Sequence, residues 1–178
     1  MQQTHSIDEL IQLFEQTFFE QRNTRLVCCE PEPIYRPADA QTPFHRIIFA
    51  HGFYASALHE IAHWCVAGPK RRLLEDFGYW YEPDGRSDER QAEFEKVEVK
   101  PQALEWIFSR SANFTFHFSA DNLEGNALPS EAFMNKVQQQ VQDYLNNGLP
   151  EDAQRWSQAL IQHYRPHHPL CIKEFTLN

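Results

Sequence analysis

The sequence predicts an α+β fold, with several helices around a small sheet in a single domain. Three observations lead there. Apolar residues recur at helical spacing in several separate stretches, a few short runs read as strands, and the order lacks the regular strand-helix alternation of a parallel α/β sheet. At 178 residues, one core suffices to bury about 70% of the surface of the unfolded chain. Residues 1–178 are therefore read as one domain, with an exposed, flexible tail expected from about 165.

The elements follow in order. Ser6 with Glu9 three residues on makes a capping box, and Leu10, Phe14 and Phe18 recur at helical spacing, so the first helix runs over 7–21. Arg25 to Cys29 reads as a strand. The stretch holding Pro31, Pro33, Pro37 and Pro43 runs extended, because proline removes a donor and fixes the backbone. Arg46 to Ala50 is an apolar strand ending at His51-Gly52, and a helix over 55–67 follows, stopped by Gly68-Pro69. Phe77 to Tyr81 is strand-like and closes in the turn Glu82-Pro83-Asp84-Gly85. Ser87 to Glu98 reads as one helix, and Pro101 opens another through about Arg110. Phe114, Phe116 and Phe118 alternate with polar residues, the period of a half-buried strand. Ser130 caps a helix to about Asn146, and Glu151 to Tyr164 forms the last.

Composition removes several classes of function. The mean hydropathy of -0.61 and the lack of a long apolar run give no membrane span, and no leader is read at the N-terminus, so a cytoplasmic protein is expected. Cys28, Cys29, Cys65 and Cys171 show no CxxC spacing, and adjacent cysteines suit disulfide geometry poorly, so free thiols are expected. A net charge of -9 argues against an extended phosphate-binding surface, so no nucleic-acid partner is expected. The basic run Lys70-Arg71-Arg72 reads as a solvated helix end.

His59-Glu60-Ile61-Ala62-His63 is an H-E-x-x-H pattern inside the predicted helix. Residues four apart project from one face and share one ion. Two histidines need a further ligand. An elongated metzincin motif places it ten residues after His59, where this chain has Pro69. Glu95 and Glu98 remain, one helical turn apart. Glu98 is favoured because Val97 and Val99 flank it, a setting of burial in which an unpaired carboxylate is costly; Glu95 stays open, and His117 is a weaker candidate. Tyr79, Trp80, Glu82 and Asp84 offer aromatic faces and carboxylates to a cationic amine.

The same residues resemble the bacterial elongation factor P hydroxylases. The likeness runs through His51 to Glu60, His63-Trp64-Cys65, Phe77 to Tyr81, Pro83 to Arg86, Val97 to Leu104 and Asp121 to Gly125. It implies an enzyme that hydroxylates the lysyl-modified lysine of elongation factor P. The implied centre is a non-haem Fe(2+) that uses dioxygen and is held by His59, His63 and Glu98, with no electron donor indicated. The implied fold is akin to that of a metal-dependent ribonuclease, or zincin-like about the H-E-x-x-H helix.

Chemistry points the same way, since two histidines and one carboxylate leave coordination positions open for dioxygen. In that reading Glu60 moves a proton or supports the metal shell; in the alternative, a zinc-type peptidase or ribonuclease, Glu60 is the general base. A third reading, a structural zinc site, calls for four protein ligands.

Overall fold

The computed structural model describes residues 3–75, 88–119 and 129–177. Among the described residues, five α-helices and one three-stranded sheet form an α+β domain in the order α1 (Ile7–Arg22), β1 (Thr24–Glu30), β2 (Ile34–Arg36), β3 (His45–Ala50), α2 (Tyr54–Arg71), α3 (Asp88–Ser111), α4 (Glu131–Asn147) and α5 (Glu151–Tyr164). The sheet order is β1-β3-β2. β1 runs parallel to β3 with Leu26 opposite Ile47, and β2 runs antiparallel to β3 with Ile34 opposite Ile48. β2 lies inside the proline-bearing stretch expected to be merely extended; three residues without a flanking periodic pattern give no strand signal.

Local chemistry sets the helix ends. Ser6 Oγ accepts from the Glu9 amide, and Asn23 closes α1 in the left-handed region at φ 48°. β3 hands over to α2 through His51 and Gly52, both at positive φ. A Cβ on Gly52 would meet the sulfurs of Cys28 and Cys29 at 3.6 Å or less. Those two sulfurs are brought into contact as a vicinal pair, which the expectation of free thiols did not include. Gly68, at φ 77°, interrupts α2 where the sequence predicted its end, but the chain resumes for a further turn through Arg71.

The expected pair of helices around Pro101 is a single helix, α3. An interior proline costs about 3 kcal/mol, and here it sits at the start of an unbroken buried run, 101–109, whose burial outweighs that loss. Phe114, Phe116 and Phe118 do alternate inward, with Thr115, His117 and Ser119 exposed, but among the described residues the segment has no ladder partner. Trp106 instead stacks on Phe116 at 5.2 Å and meets Phe118 edge-on, while Phe114 packs against Tyr54 and His5.

The core lies between sheet and helices. Leu10, Phe14 and Phe18 of α1 pack with Trp64 of α2 and Trp156 of α5, with ring centroids 4.8 to 6.2 Å apart. The segment after about 165, expected as a flexible tail, is anchored. Phe175 is only 1% exposed and meets Trp106, while Arg165 pairs with Glu174 at 2.7 Å. A single buried phenyl ring is a weak sequence signal, which is why this docking was not foreseen.

Candidate metal centre

α2 follows the central strand β3 and packs along α3, and the site forms where the two helices face each other. His59 and His63 stand one turn apart on α2, with Nε2 atoms 3.0 Å apart. Glu98 of α3 comes to meet them. Its Oε1 is 2.9 Å from His63 Nε2, and its Oε2 is 3.6 Å from His59 Nε2. The donor atoms of these three residues all lie within 4.8 Å of one another.

That spacing fits an ion. With bonds of about 2.1 Å, donors at right angles around one centre stand about 3.0 Å apart, as on one face of an octahedron. The donor chemistry also fits, since two imidazoles and a carboxylate suit a divalent transition metal. Among the described residues the converging set has three members. A closed structural zinc site takes four, so the arrangement favours a centre with open positions.

Electrostatics prepare the same spot for positive charge. Burial pushes the Glu98 carboxyl up, but His63 and His59 beside it, with bonds from His63 and Gln102, hold it at about 2. Burial disfavours the His59 imidazolium as well, yet Glu105 and Glu98 overcome this and raise it well above its usual value. Carboxylates sunk among apolar side chains are stable only beside a proton or a cation.

A further layer holds these groups in place. His59 Nδ1–H donates to Glu105 Oε2 at 2.8 Å, which fixes the tautomer and turns Nε2 toward Glu98 and His63. Gln102 Nε2 lies 3.4 Å from Glu98 Oε2 and also donates to the Ser119 carbonyl at 2.6 Å, while the Ser119 amide returns a bond to Gln102 Oε1. Sequence reasoning missed both residues. The available signal was a polar stripe on a buried helix, Glu98, Gln102 and Glu105 at positions i, i+4 and i+7, all under 8% exposed.

The other candidates fall elsewhere. Glu95 turns away to α4, where the Ser130 hydroxyl lies 3.4 Å from its carboxylate. His117 is exposed and lies outside the converging group. Glu60 is half-buried beside His59, and its charge helps to raise that imidazole. Tyr79, Trp80, Glu82 and Asp84, with the predicted strand Phe77 to Tyr81, lie outside the described residues.

One consequence concerns Glu105. Glu105→Ala is expected to weaken Fe(II) affinity about 10- to 100-fold, the usual cost of losing the partner that orients a ligating histidine. Anaerobic titration measures it, and unchanged affinity would remove Glu105 from the site.

Fold and site together define a class, an α+β protein with a two-histidine, one-carboxylate candidate metal centre between two helices. Comparison with known proteins makes the class specific. The chain matches the family described as elongation factor P hydroxylase over residues 13–175. It is also 53% identical over 173 residues to the elongation factor P lysine hydroxylase of Haemophilus influenzae, covering 97% of each chain. The chain belongs to the elongation factor P hydroxylase family. Neither match is to a zinc hydrolase. Among the described residues, no helix is long and apolar enough to cross a membrane.

Proposed function

We propose that this protein is a non-haem iron, dioxygen-dependent monooxygenase that hydroxylates the lysyl-modified lysine of elongation factor P in the cytoplasm. The observation that carries the reading is the convergence of His59, His63 and Glu98 at distances suited to one ion, in a chain of this family. Ferrous iron bound there supplies activation of dioxygen, the chemistry an unactivated carbon requires.

The protein's own residues do the rest. Glu105 keeps His59 in the ligating tautomer, and Gln102 ties the Glu98 carboxylate to the backbone of Ser119. Glu60, next to His59 and half-buried, is suited to passing a proton or to steadying the surrounding shell. Tyr79, Trp80, Glu82 and Asp84 are proposed to receive the cationic end of the modified lysine, on residue chemistry alone. The same reading sets the H-E-x-x-H helix in a zincin-like or metal-dependent-ribonuclease-like frame, and involves neither membrane nor nucleic acid.

The test is the fate of oxygen. Purified protein is incubated with modified elongation factor P, Fe(II) and a reductant. The factor is expected to gain about 16 Da from ordinary dioxygen and about 18 Da from the heavy isotope. An unchanged factor mass, with peptide or RNA cleaved when zinc is supplied, would overturn the proposal and make Glu60 the general base of a hydrolase.

A further inference from the structure

The outer side of α3 is unlike the rest of this acidic chain. A groove of about 830 Å³ runs between α2, α3 and α4. Val66, Val97 and Val99 contribute apolar surface to it, and Arg71, Lys96, Lys100 and Lys136 supply four cations against the one carboxylate of its lining, Asp143. Lys70 stands beside it, in a smaller depression that shares Arg71. The chain has five lysines, and four of them gather here, although the net charge is -9.

These lysines are exposed, and no described carboxylate lies within ion-pair distance of Lys70, Lys96, Lys100 or Lys136. Lys96 and Lys100 are four residues apart and share one face of α3, opposite the face that presents Glu98. Like charges gathered at Lys96, Lys100 and Lys136 repel one another, and none of these three has a described carboxylate in ion-pair contact to offset that. The cluster's use is complementarity to an oppositely charged surface.

The groove also lies close to the chemistry. Val66 and Ala67 line it, and they follow His63 by one turn of α2, a rise of about 5 Å. A macromolecule resting in the groove is therefore held one turn of α2 from His63, with α3 between its lysines and Glu98.

We propose that this groove is the docking surface for an acidic face of the folded protein substrate, holding it while its modified side chain reaches the metal centre. The proposal rests on the function assigned above. Apolar side chains interleaved with lysines suit a protein surface better than a phosphate backbone, which asks for a continuous basic track. Charge of this kind acts mainly on encounter and capture, so its effect belongs in KM and in salt dependence rather than in the chemical step.

The experiment uses the full-length enzyme with modified elongation factor P. Lys96→Glu, Lys100→Glu and Lys136→Glu are combined in one variant, with Lys96→Gln, Lys100→Gln and Lys136→Gln as a neutral counterpart and Lys173→Glu as a control on the remaining lysine. The reversed variant is expected to raise KM about 10- to 100-fold and to flatten the fall of kcat/KM with added salt. The neutral variant should shift KM the same way by less, and Fe(II) affinity should match that of the unaltered protein in every case. If the unaltered enzyme hydroxylates the factor and the reversed variant does so with the same KM, the docking proposal is overturned and the assigned function stands. If the reversed variant instead loses binding to an RNA duplex while keeping its KM, the groove serves nucleic acid and the proposal is equally overturned. Failure of the unaltered enzyme to bind or hydroxylate the factor overturns both.

Discussion

Glu98→Ala is expected to abolish hydroxylation and to weaken Fe(II) binding by more than the about 10- to 100-fold typical of losing an outer partner. The reason is the donor count. His59 and His63 alone leave two nitrogen donors, and the carboxylate that balances the charge of the ion is gone. The fold should survive, because Gln102 keeps both bonds to Ser119 and the burial cost of a carboxylate disappears with it. Glu95→Ala, three residues away, should change affinity by less than threefold, since that side chain faces Ser130. His59→Ala and His63→Ala should match Glu98→Ala in loss of activity. Anaerobic titration with Fe(II), followed by turnover of modified factor, gives the order; a larger loss from Glu95→Ala than from Glu98→Ala would transfer the ligand role to Glu95.

That contrast also shows where sequence patterns carry information. His59 and His63 were legible because a four-residue spacing on a helix is a local property. Glu98 was legible as far as its valine neighbours announced burial. Glu105 lies 46 residues from His59, and no local pattern says which turn of α3 will face which turn of α2. That register is set by packing, and the polar stripe at 98, 102 and 105 acquires meaning only once a facing helix is assumed.

Helix ends show the same division. Ser6, Ser130 and Gly148 mark termini through bonds to nearby backbone, and the predicted ends fall within a residue or so of those observed. Pro101 misled because proline opens many helices, whereas here tertiary burial carries α3 through it. The phenylalanine segment kept its period in burial without a strand partner, since alternation reports which side is buried and not what forms the ladder.

Arg72 is the clearest case of context overruling composition, and it underlies the largest stability effect expected away from the candidate metal centre. Read in sequence, Lys70-Arg71-Arg72 is a solvated helix end. In the structure Arg72 turns inward. Its guanidinium lies 3.7 Å from the centre of the Trp64 ring, Nε donates to the Trp64 carbonyl at 3.0 Å, and Nη1 reaches Asp152 Oδ2 at 2.7 Å. Arg22, in the last turn of α1, donates to both oxygens of Asp152 at 3.1 Å. One carboxylate in the first turn of α5 thus joins the ends of three helices. Burial pushes the Asp152 carboxyl up, but the bonds and charges of Arg22 and Arg72 overcome this and lower it below its ordinary 3.8. Asp152→Asn keeps the shape and removes the charge, leaving Arg72, only 13% exposed in its side chain, without its counterion. The expected cost is about 3 kcal/mol, at the low end for a broken buried pair because Arg22 retains some solvent, and a melting temperature lower by roughly 6–12 °C. The pH dependence follows from the sign of the shift. A lowered folded-state pKa gives stability that is fully present above the ordinary 3.8 and is lost as pH falls through the lower folded value. Urea unfolding of the parent and variant should therefore differ most at neutral pH and converge in acid below that value. A difference under about 1 kcal/mol at pH 7 would instead mark the cluster as a screened surface pair.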